Sequence, residues 1–185
     1  PNSGRSSFGS QYMAFVGETS KRDASGQIST LSQIMMADLT LNPAGSVSLN
    51  SVVALPGDTS TLQGKPSLVQ WDNGAGRTGT VFYVGQANGL GDLYTADFRN
   101  GAWGAVTKMN LGDQFENLGA PSVTMRRYRN TNARIMEVYF TGKVRGRSAA
   151  EAFRGKIIGV GGEAQPNQWR TQVDRYDRLD YDAAS

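Results

Sequence analysis

A short apolar run that ends in glycine occurs three times in the chain, and this repetition constrains the fold more than any other sequence feature. The three copies are Tyr12–Gly17, Val81–Gly85 and Val138–Gly142. Each copy has the length of one β-strand, and a glycine directly after such a run is typical of a turn. Self-similarity along a chain is the sequence signature of a repeat architecture. We therefore expect the chain to be built from copies of one β-unit.

Further strand-length segments follow each copy in the same order. They are Ile34–Leu39, Ser51–Gly57 and Gly64–Val69 after the first copy, Leu93–Phe98, Val106–Gly112 and Gly119–Thr124 after the second, and Lys156–Val160 after the third. The Pro-Ser pairs that begin at Pro66 and Pro121 are 55 residues apart, and the strand-ending glycines are 68 and 57 residues apart. Four short strands at this period fit β-propeller blades of about 40–50 residues with enlarged loops.

The predicted fold class is therefore all-β, with three four-stranded antiparallel blades of a β-propeller. The approximate blades are residues 10–70, 79–125 and 135–175, followed by a tail at 176–185, so that residues 1–185 form a single propeller segment. Loops are expected at the polar stretches Glu18–Thr30 and Arg145–Ala152. The alternative is a two-layer β-sandwich or a barrel in which the similarity between hairpins is accidental.

A lone four-stranded blade cannot bury both of its faces, so neighbouring blades must stack to form a core. The continuous apolar run Val81–Val84 is typical of a strand that is buried on both faces. Propellers have about 4–8 blades, and three blades cannot close a ring. We therefore expect further blades of the same polypeptide, or other subunits, to complete the propeller.

The composition excludes several kinds of functional site. The chain contains no Cys and no His, so this chain alone cannot form disulfides, Ser-His-Asp triads or zinc sites based on Cys or His. No cofactor and no metal site are predicted. The net charge is only +3, which does not favour nucleic acid as a partner. No run approaches the roughly 20 apolar residues of a membrane-spanning helix. We expect a protein that is not an enzyme.

One motif in the second predicted blade combines a strand, a short turn and a tryptophan. Within Gly91–Gly104, the strand Asp92–Asp97 has the form Asp-Leu-Tyr-x-x-Asp, and the turn after it ends in Gly and then Trp. This pattern resembles the PD40 (TolB-like) family of propeller repeats, and the resemblance extends over Gly79 to Thr124. It is partial in the first predicted blade and weak in the third. The resemblance implies a bacterial cell-envelope, periplasmic or extracellular setting, in which such propellers act as interaction scaffolds.

The turn of this motif is also similar to the Asp box of sialidases. The counterparts are Thr95, Asp97, Gly101 and Trp103, with an Asp-to-Gly spacing that is two residues longer than in that box. The resemblance implies a structural role. We expect the Asp97 carboxylate to accept hydrogen bonds from backbone N–H groups of the following turn. Trp103 is expected to cover the blade face with apolar surface.

A basic segment lies between the second and third predicted blades. Its predicted partner-binding residues are Arg126, Arg127, Tyr128, Arg129 and Arg134. Arg and Tyr are enriched in binding hot spots, and such a segment could stack on a base or sugar or clamp a phosphate or carboxylate. The alternative is a solvated loop whose arginines pair with acids on an adjacent blade or subunit.

The predicted function is that of a non-catalytic interaction module, a β-propeller in a bacterial cell-envelope or extracellular protein that binds a partner protein or a glycan. Two alternatives remain open. One is a fragment of a propeller-type glycan-active enzyme, sialidase-like or a lyase, which requires carboxylates and Arg clustered at one mouth of the propeller. The other is a basic β-sandwich that serves as a structural or coat protein.

Overall fold

The computed structural model describes residues 11–42, 45–56, 61–72, 77–127, 134–159 and 170–175. In this part of the chain all regular structure is β-strand, which confirms the predicted all-β class. The strands in chain order are β1 (Gln11–Arg22), β2 (Ile28–Leu41), β3 (Val47–Ala54), β4 (Thr61–Asp72), β5 (Arg77–Ala87), β6 (Leu90–Arg99), β7 (Ala102–Trp103), β8 (Thr107–Lys108), β9 (Phe115–Leu118), β10 (Ser122–Arg127), β11 (Arg134–Val144), β12 (Glu151–Gly159) and β13 (Arg170–Arg175).

The strands form two sheets. The first sheet contains β1, β2 and β3 in that order, and all of its neighbours are antiparallel. The second sheet contains ten strands: β4, β5 and β6 form one antiparallel run, and β10, β11, β12 and β13 form another. The short strand β9 joins the two runs, because Phe115 pairs with Gly91 of β6 and Leu118 pairs with Gly142 of β11.

The ten-stranded sheet folds back on itself into a nearly closed, barrel-like arrangement. At one side β9 bridges β6 and β11. At the other side β10 lies against β4, where the Val123 backbone N–H donates a hydrogen bond to Ser67 Oγ over 3.1 Å. The interior is filled by side chains from six of these strands, among them Phe82, Phe115 and Phe140.

A second core lies between the ten-stranded sheet and the sheet of β1, β2 and β3. Ile34 and Met36 of β2 pack there against Val81 of β5 and Phe98 of β6. The run Val81–Val84 is buried throughout because successive side chains alternate between the two cores. The prediction that this strand is buried on both faces is therefore confirmed.

The predicted repeat segments all contain strand, but their grouping differs from the expected one in two places. Gly64–Val69, expected as the last strand of the first unit, lies in β4 and pairs with β5. Gly119–Thr124 includes the start of β10, which pairs with β11. Each segment therefore begins the following run of strands. The strands of the second and third predicted blades also belong to one sheet, since β9 connects them.

The predicted loop at Glu18–Thr30 was wrong for most of its length. Strand β1 continues to Arg22 and β2 starts at Ile28, although the side chains of this hairpin are mostly exposed and polar. Strand pairing uses backbone groups, so a polar segment can extend a hairpin when its turn is well formed. Asp23 supplies that turn: its Oδ1 accepts hydrogen bonds from the backbone N–H groups of Ser25 and Gln27, each at 2.9 Å. The predicted loop after β11 is observed at residues 145–150.

Replacing Phe98 by Ala tests whether the first sheet depends on the second core. Phe98 is fully buried and makes edge contacts with Tyr12 of β1 at 5.1 Å and Trp103 at 5.0 Å between ring centroids. Phe98→Ala should lower the free energy of unfolding by about 3–5 kcal/mol, because the lost burial leaves a cavity. Urea unfolding followed by circular dichroism measures this. The control Val106→Ala, at an exposed position, should change stability by less than about 0.5 kcal/mol; equal effects would contradict this packing.

The bridge made by β9 should contribute a pH-dependent stability. Lys143 Nζ lies 2.8 Å from Glu116 Oε2, and the hydrogen bond from this lysine lowers the pKa of Glu116. A lowered carboxyl pKa stabilises the fold above the pKa of the unfolded chain, and the stabilisation is lost as pH falls through the folded-state pKa. Glu116→Gln should therefore lower the melting temperature at pH 7, and its difference from the wild type should shrink on acidification. A difference that grows at acid pH would contradict this.

Candidate interaction surfaces

One face of the sheet formed by β1, β2 and β3 has the composition of an interface. Tyr12, Ala14, Ile34, Met36 and Val53 lie on the opposite face, against the second core. By strand alternation and the observed register, the other face carries the residues that we call the outer face: Gln11, Met13, Phe15, Gly17, Thr19 and Lys21 of β1, Ser29, Leu31, Gln33, Met35, Ala37 and Leu39 of β2, and Val47, Leu49, Val52 and Ala54 of β3.

The outer face is mainly apolar, and Lys21, its charged residue, lies at the end near the turn between β1 and β2. Val47, Leu49 and Val52 are 62%, 58% and 47% exposed. At the centre, Ala37 is paired with Met13 on one side and Val52 on the other, and Ala37 itself is fully buried. Contiguous exposed apolar surface of this kind marks interaction sites in soluble proteins.

Gly17 leaves space on the outer face for a neighbouring side chain. A Cβ atom at this position would lie 2.8 Å from Met35 Cγ, closer than real Cβ contacts allow. Met35 can therefore lie flat over the strand and is buried, although no further sheet covers it among the described residues.

The far side of the molecule carries a face of opposite character. On β11, Glu137 and Tyr139 alternate with the core residues Met136, Val138 and Phe140 and so lie on the side away from that core. Glu137 is only 6% exposed. Its Oε2 lies 3.2 Å from Arg126 Nε and accepts a hydrogen bond of 3.1 Å from the Tyr139 hydroxyl. We call Arg126, Glu137, Tyr139 and Arg154 the polar face.

The surroundings of Tyr139 in the polar face raise its pKa. Burial raises the pKa of Tyr139, and the hydrogen bond to Glu137 and the charge of that carboxylate raise it further. The phenol therefore remains protonated at neutral pH and donates to the carboxylate. The positive charges of Arg154 and Arg126 lower the pKa of Tyr139. Arg154 is the register partner of Tyr139 on β12.

The predicted partner-binding residues occupy the end of the β10–β11 hairpin. Arg126 is part of the polar face, so its guanidinium contacts a glutamate on the next strand. The backbones of Arg127 and Arg134 are register-paired at the last position of the two strands. Tyr128 and Arg129 lie outside the described residues.

The predicted structural turn is present, with a different role for its aspartate. Asn100 and Gly101 form a two-residue hairpin turn, and both have positive φ angles (50° and 80°), as the tight turn type requires. The Asp97 carboxylate does not contact the N–H groups of this turn: it accepts a hydrogen bond from Thr80 Oγ1 at 2.5 Å and lies 3.3 Å from an Arg99 guanidinium nitrogen. Thr80 is the register partner of Asp97 on β5, so Asp97 binds a side chain of the neighbouring strand and not the backbone of the local turn.

Trp103 packs on apolar surface and connects the two sheets. Its ring packs edge-on against Phe98, and its indole N–H donates a hydrogen bond of 3.1 Å to the Val53 carbonyl of β3. The sequence motif therefore places a structural residue at the boundary between the sheets.

An open groove of about 720 Å³ lies beside the end of β6. Its lining includes Asp92, Tyr94 and Lys108, and Lys108 Nζ lies 2.7 Å from Asp92 Oδ2. The hydrogen bond from Lys108 to Asp92 raises the pKa of the lysine. The Asp92 carboxylate therefore already has a cationic partner in the groove.

The part of the chain that the structure describes contains no group of three or more acidic, His or Cys side chains that could hold a metal ion. Over the same ranges, no helix has the length and apolar character needed to cross a membrane. No protein-family model matches the sequence, and no curated protein matches it either.

The sequence predictions missed the outer face. Its signal was the alternation of apolar and polar residues around Val47 and Leu49, which is typical of a strand with one apolar face. The ion pair of Arg126 and Glu137 had no such signal, since these residues come together only through the register of two strands.

Removing the Glu137 charge should lower the pKa of Tyr139. In Glu137→Gln the carboxylate no longer disfavours the phenolate, so the pKa of Tyr139 should fall. NMR titration of ¹³C-labelled tyrosine measures this. Glu151→Gln, a change away from the polar face, is the control, and an unchanged Tyr139 pKa in Glu137→Gln would contradict the observed hydrogen bond.

Proposed function

We propose that the chain is a non-catalytic interaction module, a segment of a PD40-type β-propeller from a bacterial cell-envelope or extracellular protein, which binds a partner protein or a glycan. The single observation that carries this proposal is the outer face. A mainly apolar sheet face is stabilised by contact with another surface, since burial of apolar area is worth about 25 cal/mol per Å².

The propeller part of the proposal is supported by the layering of the strands. The runs β1–β3, β4–β6 and β10–β13 are antiparallel in chain order, and apolar cores lie between the first and second and between the second and third. In this proposal a further blade or subunit packs on the outer face. The reason is that β2 contains four consecutive buried residues, Ile34–Ala37, as does the fully covered strand β5 at Val81–Val84.

The non-catalytic part is supported by the state of the ionisable groups. Glycan hydrolysis by a tyrosine or carboxylate nucleophile requires a reactive, correctly protonated group. The pKa of Tyr139 is raised, so its phenol is a weak nucleophile at neutral pH. Glu137 is bound to Arg126, and Asp92 is bound to Lys108. Each of these two carboxylates is therefore held in an ion pair.

One observation favours the alternative of a structural or coat protein. The second sheet is continuous through β9 and nearly closed, whereas propeller blades are separate sheets. Both proposals assign the same role to the outer face, as a surface that is covered in an assembly.

A glycan array followed by turnover assays tests the proposed function. The full chain should bind acidic or neutral glycans, or protein partners, without converting them. Arg126→Ala should weaken binding of an anionic ligand at the polar face at least about fivefold, because truncation of an interface arginine costs about 1 kcal/mol or more. Arg147→Ala, an exposed arginine in the loop after β11, is the matched control. Turnover of any bound glycan would contradict the proposal and support the enzyme alternative.

A further inference from the structure

We infer that the free edge of β1 binds an extended segment of another polypeptide, which adds to the first sheet as a fourth strand. β1 is the outermost strand of the sheet of β1, β2 and β3, and among the described residues it pairs with β2 alone. This contact rests on the proposed function, because it assumes that the chain is an interaction module, and it specifies the partner as a polypeptide.

The contacts of Tyr12 identify the backbone groups that face this edge. Its N–H donates a hydrogen bond of 2.8 Å to Gln70 Oε1, and its carbonyl accepts one of 2.7 Å from Gln70 Nε2. In an antiparallel strand the N–H and the carbonyl of one residue point to the same side, and this side alternates from residue to residue. Both groups of Tyr12 therefore point away from β2, and the Gln70 amide takes the position of a peptide group of a neighbouring strand.

The same edge is open beyond Tyr12. The pairing of β1 with β2 is regular over Gln11–Arg22, without a bulge, so every second residue after Tyr12 presents its N–H and its carbonyl at the edge. These residues are Ala14, Val16, Glu18 and Ser20. Over the described ranges none of their backbone groups at this edge has a partner. An edge of this kind is a template for strand addition, in which backbone hydrogen bonds supply the affinity.

The opposite edge of the first sheet is less suited to strand addition. The pairing of β3 with β2 shifts its register between Asp38 and Leu39, so that Asn50 is an extra residue. A bulge interrupts the regular row of edge groups. The Val53 carbonyl at this edge already accepts the indole N–H of Trp103. β1 therefore offers the longer regular edge.

The spacing of the edge groups selects a polypeptide as the occupant. Donors and acceptors at the β1 edge recur once every two residues, which is about 6.6 Å along a strand. An extended polypeptide repeats its own N–H and carbonyl groups at the same interval, so each edge residue can exchange two hydrogen bonds with it. A sugar chain offers no matching row of backbone N–H groups.

The sequence of β1 argues against a second copy of the same strand. β1 is mainly apolar in its first half and polar in its second half. Antiparallel pairing of the open stretch with itself, centred on Gly17, would place apolar residues opposite polar ones: Met13 opposite Lys21, Phe15 opposite Thr19, and Val16 opposite Glu18. Strands are stabilised when directly opposite side chains are complementary. The occupant is therefore a different segment, apolar beside Met13–Val16 and polar beside Glu18–Arg22.

The added segment would cover apolar side chains on both faces of β1. Met13 lies on the outer face and is 43% exposed, and Val16 lies on the opposite face and is 40% exposed. Directly opposite residues of paired strands have Cβ atoms about 4.5–5.5 Å apart, so a new strand brings its side chains against both. The partner segment should therefore carry apolar side chains on both of its faces at this end.

A peptide probe tests the inference. A phage-displayed library of random dodecapeptides is panned on the full chain, and the most enriched peptide is synthesised and titrated calorimetrically. Val16→Pro should raise its dissociation constant at least about tenfold, because proline lacks the N–H that faces the edge and its ring obstructs an incoming strand. The matched control Val16→Thr keeps this N–H and should bind within about threefold of the wild type. Proline is tolerated at an edge position whose N–H faces solvent, and circular dichroism checks that Val16→Pro is folded.

N-methylation of the peptide gives the same test without any change to the protein. In an added strand, every second peptide N–H faces β1 and the others face away. Methylation of a residue whose N–H faces β1 should weaken binding at least about tenfold. Methylation of the residues between them should weaken it less, so affinity should alternate along the peptide. Affinity that does not alternate in this way would overturn the inference.

Amide hydrogen exchange locates the contact. In the chain alone, the N–H groups of Val16 and Glu18 should exchange faster than those of Phe15 and Gly17, which face β2. The bound peptide should slow exchange at Val16 and Glu18 at least about tenfold. Failure to enrich any peptide, a peptide that binds Val16→Pro as tightly as the wild type, or slow exchange at Val16 in the chain alone would overturn the inference. A glycan or protein that binds without slowing these amides would overturn it while leaving the proposed function in place.

Discussion

Burial of one strand on both of its faces organises the whole molecule. In β5, Phe82 and Val84 contribute to the interior of the nearly closed sheet, while Val81 and Tyr83 contribute to the core beneath the first sheet. Both cores therefore depend on the same four residues. The contacts of the first sheet follow from this: Trp103 donates its indole N–H to β3, and Tyr12 packs on Phe98. Without this central strand, each core would lose two of its buried side chains.

Apolar runs in the sequence were sufficient to locate most strands, because a buried strand needs such a run whatever its partner. They were not sufficient to predict which strands pair with each other. Gly64–Val69 was expected to close the first unit, yet β4 pairs with β5, since a strand's own residues specify which face is apolar and not which edge is paired. The bridging strand β9 is only four residues long, too short for periodicity to be recognised. The polar hairpin at Glu18–Thr30 was missed because its stability comes from backbone pairing and the Asp23 turn.

The candidate surfaces were predictable to different degrees. Arginine density predicted a partner-binding segment at the β10–β11 hairpin, but the contact between Arg126 and Glu137 depends on a register that spacing alone does not reveal. Asp97 was expected to bind backbone N–H groups of the following turn, whereas its observed partner Thr80 lies on a strand that precedes it in the chain. The exposure of the outer face could not be predicted from the sequence. Alternation indicates that one face of a strand is apolar, but only the three-dimensional arrangement shows that no described strand covers that face.

Thiol reactivity on the outer face tests the central claim most directly, which is that β1–β3 forms an inner layer of a larger assembly. Leu49→Cys and Val106→Cys place single thiols at positions that are 58% and 40% exposed. If the outer face is covered in the assembled protein, the rate of reaction with a maleimide should fall with increasing protein concentration for Leu49→Cys and stay constant for Val106→Cys. Equal and concentration-independent rates at both positions, in the chain alone and with its bound partners, would contradict the account.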